Sequence, residues 1–202
     1  MALAEKLPYF SIENLLVTGI DSHYLKVLLY RQVKTRRVVR LKRGLYVSSR
    51  YLDEAKASGK ISNFLEFLAC AIYQPAYLSG EYVLYRHNML TDVPQNFTLM
   101  TLSKTARFSN MLGNFIYHST HKRLFKGFMS AREGELVISK ATKAKALFDF
   151  LYVRKNIIGN RKEFDALRLN LEVLSARDKK ELKTYIALEG SPKMKQLYSF
   201  LK

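Results

Sequence analysis

RRVVRLKRGLYV, residues 36–47, is the stretch on which the reading of the fold turns. Its two arms, Arg37 to Leu41 and Leu45 to Val47, are rich in the β-branched and aromatic residues that suit a pleated strand. Between them Lys42-Arg43-Gly44 puts a glycine where a tight turn needs positive φ, so the stretch reads as a β-hairpin. Period-two alternation sets Val39 and Leu41 on one face and Arg40 and Lys42 on the other. A hairpin this short cannot bury an apolar face alone, so it is expected to lean on what precedes it.

What precedes it is helical. Ala2 to Leu7 forms a short first helix that ends near Pro8. Ser11 caps a second, with Phe10 and Leu15 placed to close a hydrophobic staple, and Gly19 stops it. Asp21 or Ser22 caps a third helix running to about Lys34, on which Leu25, Leu28 and Leu29 share the packing face. The opposite stripe carries His23, Val27, Tyr30 and Lys34, flanked by Lys26 and Arg31. Helix, turn, helix and basic hairpin is the layout of a winged helix. In that layout the third helix lies in a major groove, where His23, Lys26, Val27, Tyr30 and Arg31 are the candidates for base reading. Arg36, Arg37, Arg40, Lys42 and Arg43 on the wing would reach phosphates or a minor groove. The bland alternative is an amphipathic helix with a wet face.

Charge supports the nucleic-acid reading. The 202 residues carry 34 Lys/Arg against 17 Asp/Glu, a net +17, and the surplus is densest in the first quarter. Residues 1–50 hold ten cations and three acids, or +7; residues 51–155 fourteen and eight, or +6; residues 156–202 ten and six, or +4. Such a balance favours a polyanionic partner: DNA, RNA or an anionic membrane surface. The single cysteine, Cys70, excludes an internal disulfide framework or a cysteine metal cluster, and its apolar neighbours make it a small core residue. Glu5, Lys6 and Pro8 interrupt any signal-peptide core, and Glu66, Gln74 and Pro75 break the most apolar run, Phe64 to Leu78. The expected location is the cytoplasm, with no membrane partner.

Ser48 to about Lys60 reads as a polar linker, dividing a winged-helix domain at 1–50 from a second domain at 51–202. Residues 63–74 form a buried helix closed by Pro75, and residues 77–90 restart a helix with Ser79 as its cap and Glu81 at its N-terminal end. Residues 96–103 and 113–119 are strands, joined by a loop from Lys104 to Asn110; Lys122 to Phe128 and Glu135 to Ser139 are two more strands. Residues 141–155 form a strong helix with Ala144, Leu147, Phe148 and Leu151 as its stripe. On it Lys145 and Asp149 stand four apart and read as a pair worth a few tenths of a kcal/mol at most. A helical tail begins at about residue 156: Phe164, Leu167, Leu171 and Leu174 line one helix, Ser175 with Asp178 opens the next, and Ser191-Pro192 the last. The predicted class is α+β: a winged helix-turn-helix, then a mixed α/β domain with a small, mainly antiparallel sheet and a helical tail.

Five segments in this order, FSIENLLVTG (10–19), RLKRGLYV (40–47), PAYLSGEYVL (75–84), FTLMTLSK (97–104) and ATKAKALFDFL (141–151), resemble the AbiEi family of antitoxins from bacterial type IV, abortive-infection toxin–antitoxin systems. The resemblance runs from about Phe10 to Leu151. It implies a winged helix that binds inverted repeats in double-stranded DNA of its own promoter and represses it. It also implies a C-terminal domain that counters a nucleotidyltransferase-type toxin, with no stable complex required. The cations offered for that second task are Lys104, Arg107, Lys122, Arg123, Lys126 and Lys143. Two departures stand out: Gln32-Val33-Lys34-Thr35 replaces the glycine often found between recognition helix and wing, and the tail after Asn156 matches no family motif.

No catalytic constellation emerges. His23, His87, His118 and His121 lack zinc-protease spacing, and there is neither a glycine-rich phosphate loop nor a nucleophile elbow, so no cofactor or metal is expected. Ser79, between Leu78 and Gly80, is read as a helix cap rather than a nucleophile. Two other readings compete with the antitoxin: a winged-helix regulator of other genes with a ligand- or partner-sensing second domain, and a nucleic-acid-processing enzyme with a dispersed site.

Overall fold

Around the decisive hairpin the computed structural model, which describes residues 2–201, places three helices: α1 (Ala2–Lys6), α2 (Ile12–Leu16) and α3 (Ser22–Lys34). Met1 and Lys202, the end residues of the two expected domains, lie outside the described residues. The hairpin itself is β1 (Val38–Lys42) paired antiparallel with β2 (Leu45–Ser48), and Gly44 has a φ of 80° in its turn. Ser11 caps α2 in a capping box completed by Asn14, and the Asp21 carboxylate accepts the His23 and Tyr24 amides at 2.8 and 3.0 Å. Ala4, Phe10, Leu15, Leu25, Leu29 and Val38 form a small core, and Phe10 exchanges two 2.8 Å backbone hydrogen bonds with Tyr46.

The hairpin leans in two directions. Val38 packs into that small core, whereas Val39, Leu41 and Val47 belong to the large core of the rest of the chain. Period two puts residues 39 and 41 on the face opposite Val38, so only a second body can cover them. That body begins at once. The polar stretch after Ser48 is not a structureless linker but a helix, α4 (Ser49–Ala57), capped by Ser48 and burying Leu52 and Ala55. Its apolar stripe is two residues wide, and the charges around it conceal the period.

α5 (Ile61–Ile72) follows, then a six-stranded sheet built from β3 (Ala76–Leu78), β4 (Asn96–Thr101), β5 (Ala106–Asn110), β6 (Gly113–Ser119), β7 (Phe128–Glu133) and β8 (Leu136–Ala141). The strand order is β5-β6-β4-β3-β8-β7. β4 runs parallel to β6 and β3 to β8, while the other three pairings are antiparallel, so the sheet is mixed. Three local expectations change with it. Tyr77 and Leu78 are strand, and the helix α6 (Gly80–Arg86) starts only after Ser79. The Lys104–Asn110 loop contains β5, whose alternating exposure marks an edge strand. Lys122–Phe128 is not a strand; a 3₁₀ turn at Lys122–Leu124 buries Leu124 before β7 starts.

α7 (Lys143–Arg154) is buried along Ala144–Leu151, on every face rather than on one stripe. In the tail, Phe164 to Leu174 is not one helix. α8 (Arg161–Asp165) ends early, Arg168 turns the chain at a φ of 51°, and a 3₁₀ turn covers Leu171–Val173. α9 (Ala176–Glu189) opens on the Ser175–Asp178 capping box, and α10 (Pro192–Ser199) on Ser191-Pro192, both as the spacing predicts.

The Lys145–Asp149 pair is no surface decoration. Both side chains are fully buried, with Nζ 2.7 Å from Oδ1. Asp149 Oδ2 also accepts the hydroxyls of Ser79 at 2.7 Å and Tyr77 at 3.0 Å, so Ser79 spends its side chain here and makes no cap bond on α6. Burial pushes the Asp149 carboxyl up and the Lys145 ammonium down, and their mutual attraction opposes both shifts. The Lys145 ammonium lies 4.5 Å from the Phe148 ring centre and 5.1 Å from that of Tyr185. Gly127, at a φ of 80°, passes so close that a Cβ there would sit 2.0 Å from Tyr185 Oη.

Candidate nucleic-acid interface

α3 presents to solvent the stripe that its periodicity predicts. His23, Lys26, Val27, Tyr30, Arg31 and Lys34 are all exposed, while Leu25 and Leu29 are buried behind them. Tyr30 is 61 % exposed, and Lys34 Nζ sits over its ring at 4.8 Å from the centre. Tyr24, 58 % exposed, extends the face and was not picked out by the stripe. Two large aromatic side chains thus stand exposed on a charged helix. Residues 22–52 contain nine Lys/Arg and no Asp/Glu. Among the described residues, Lys26, Arg31, Lys34, Arg36, Arg37, Arg40, Lys42 and Arg43 form no ion pair with a carboxylate.

The hairpin divides its cations between two places. Arg36 is held at a φ of 57°, with its carbonyl accepting the Ser49 hydroxyl at 2.5 Å. With Arg37 and Gln32 it lines a groove of about 580 Å³ that also holds Glu5, Asp53 and Glu54. Arg50 there pairs with Glu5 at 3.1 Å and Glu54 at 3.0 Å, so this groove is close to charge balance. Arg40, Lys42 and Arg43 line a different groove, about 380 Å³, whose far wall is Arg107, Phe108 and Ser109 of β5. Arg40 and Arg43 are exposed, but Lys42 is half-buried, its ammonium 5.9 and 6.0 Å from the ring centres of Tyr73 and Phe108.

The cations offered in the second domain do not gather on one face. Arg107 belongs with the hairpin. Lys104 is exposed in the turn before β5, and Lys122, Arg123 and Lys126 are exposed around the 3₁₀ turn, where Arg123 Nη2 donates to the Glu189 carbonyl at 3.2 Å. Lys143 is tied into the fold: its ammonium donates to the Val173 carbonyl at 2.6 Å and pairs with Asp178 at 3.4 Å. It borders a pocket of about 380 Å³ with Arg86, His87 and Lys140. There Lys140 lies 2.5 Å from the buried Glu66 carboxylate, a contact of charge without the alignment of a hydrogen bond.

Compared with protein-family models and with curated proteins, the chain gives no match. Among the described residues no helix is long and apolar enough to cross a membrane.

Proposed function

We infer that this chain is a winged-helix DNA-binding antitoxin of the type IV, abortive-infection kind. It binds inverted repeats in its own promoter, represses it, and counters a nucleotidyltransferase-type toxin through residues beyond the hairpin, without a stable complex. The observation that carries the DNA reading is the acid-free stretch 22–52, whose cations stand beside exposed aromatics on one helix and the adjoining hairpin. Helices with that face suit a major groove, and cationic hairpins suit the flanking backbone. The antitoxin half rests on the ordered resemblance to AbiEi proteins.

Labour on the DNA should divide. In the full-length chain, Tyr30→Ala or Lys26→Ala is expected to cost about 1–3 kcal/mol on the cognate site and much less on random duplex. Arg43→Ala should weaken binding to all duplexes alike. Fluorescence anisotropy on both DNAs measures this, and a change of sequence preference in Arg43→Ala alone would reverse the assignment.

The toxin-facing role is tested by co-expressing the toxin encoded beside this gene with full-length variants, read beside a promoter reporter. Charge reversal at Lys122, Arg123 and Lys126 together is expected to impair rescue, leaving repression intact. Reversal at the exposed Lys179 and Lys180 of α9 should do neither. Equal silence of both sets would remove the 3₁₀ turn from the antitoxin surface. Full-length protein is needed throughout, because residues 1–50 alone would bare Val39, Leu41 and Val47.

A further inference from the structure

We propose that Arg107 of β5 completes a phosphate-binding groove with Arg40 and Arg43 of the hairpin, so that the grip on duplex DNA crosses from the N-terminal helices onto the edge of the six-stranded sheet. This rests on the DNA-binding reading above and adds to it a contact residue some sixty positions downstream of the wing.

The groove is a fixed structure. Leu41 of β1 is buried in the large core, and the Asn110 side-chain amide of β5 donates to its carbonyl at 3.0 Å. Lys42 is held against Tyr73 and Phe108, and those two rings pack on Tyr117 at 5.4 and 5.7 Å. Moving the tip of the hairpin away from β5 therefore breaks the Asn110–Leu41 hydrogen bond, uncovers Leu41 and takes Lys42 off the two rings. On β5 the exposed positions alternate with the packed ones, which sends Arg107 and Ser109 outward while Phe108 faces the rings.

Arg40, Lys42, Arg43 and Arg107 thus line one concave surface, and the three arginines are exposed. Among the described residues none of the four has a carboxylate partner. Like charges held together repel, and a polyanion running through the groove removes that cost while releasing its own counterions. Guanidinium forks match phosphate oxygens in pairs, whereas the Ser109 hydroxyl at the rim is spent on Asn114 Oδ1 at 2.7 Å. The wall that carries Arg107 is a sheet edge, so the contact adds affinity and orientation rather than sequence reading. Duplex DNA is favoured as the occupant because the groove continues the basic hairpin next to α3.

The experiment is a salt titration of the full-length chain on promoter duplex, comparing wild type, Arg107→Glu, Arg107→Lys and the remote control Lys179→Ala, with thermal melts to confirm folding. Arg107→Glu is expected to lose roughly tenfold in affinity at low salt and to flatten the slope of log K against log salt by about one, and Arg107→Lys should retain most of both. If wild type binds and Arg40→Ala weakens it while Arg107→Glu matches wild type, the groove proposal is overturned and DNA binding stands. If Arg107→Glu affected only a single-stranded RNA, the occupant would be RNA and the proposal would fall. No salt-dependent duplex binding by wild type would overturn the DNA reading and this inference together.

Discussion

Asp149→Ala is expected to destabilise the protein by about 3–5 kcal/mol, because it strands the Lys145 ammonium in the interior with no carboxylate. The Ser79 and Tyr77 hydroxyls lose their common acceptor in the same step. For a chain of this size the melting temperature should fall by roughly 10 °C or more. Asp165→Ala, which breaks an exposed pair of the same spacing with Arg161 on α8, is expected to cost only a few tenths of a kcal/mol. Replacing both partners, Lys145→Met with Asp149→Leu, should recover much of the loss, since an apolar pair leaves no buried charge. Asp149→Asn serves where the alanine variant does not fold, because the amide still accepts from one hydroxyl. Urea unfolding of these variants settles the matter: equal costs for Asp149→Ala and Asp165→Ala would mean that the interior pair is as well solvated as the exposed one.

The second large effect is ionic. Binding of the full-length chain to its promoter duplex should weaken by roughly a hundredfold or more between 50 and 200 mM monovalent salt, as about four neutralised phosphates require. The donors are the unpaired cations of α3 and the hairpin, of which Lys26, Arg31, Lys34, Arg40 and Arg43 are exposed. Charge reversal at Arg40 and Arg43 together should cut the slope by about two. Affinity that stays flat across this range would assign the positive face to solubility and would leave α3 without its partner.

Much of the local structure was legible in the chain because it is decided within a few residues. Ser11, Asp21, Ser175 and Ser191 cap the helices they announce, since a hydroxyl or carboxylate next to free amides needs nothing distant. Gly44 sets the hairpin turn, and the leucines of α3 fix which face is buried and hence which face is wet. What misled was local pattern standing in for remote partners. Ser79 sits at an N-cap position, yet Asp149, seventy residues on, takes its hydroxyl. Lys145 and Asp149 have the spacing of a surface pair, and only the closure of Tyr77, Tyr185 and Gly127 around them turns it into a buried charge cluster.

The hairpin shows the same division. By itself the sequence determined that β1 and β2 pair, that residues 39 and 41 share a face, and that the tip is cationic, because strand period and turn chemistry are properties of the backbone. Only the tertiary structure decided what that face covers. Burial of Val39 and Leu41 needs a surface of matching shape, and the first one available is the edge of β5 with α4 and α5 behind it, not the helices before it. The same docking put Lys42 against two rings and brought Arg107 beside Arg40 and Arg43. Nothing within seven or eight residues of any of them encodes that meeting; it follows from the pairing of β5 with β6 and the packing of the sheet against the hairpin, which long-range contacts alone select.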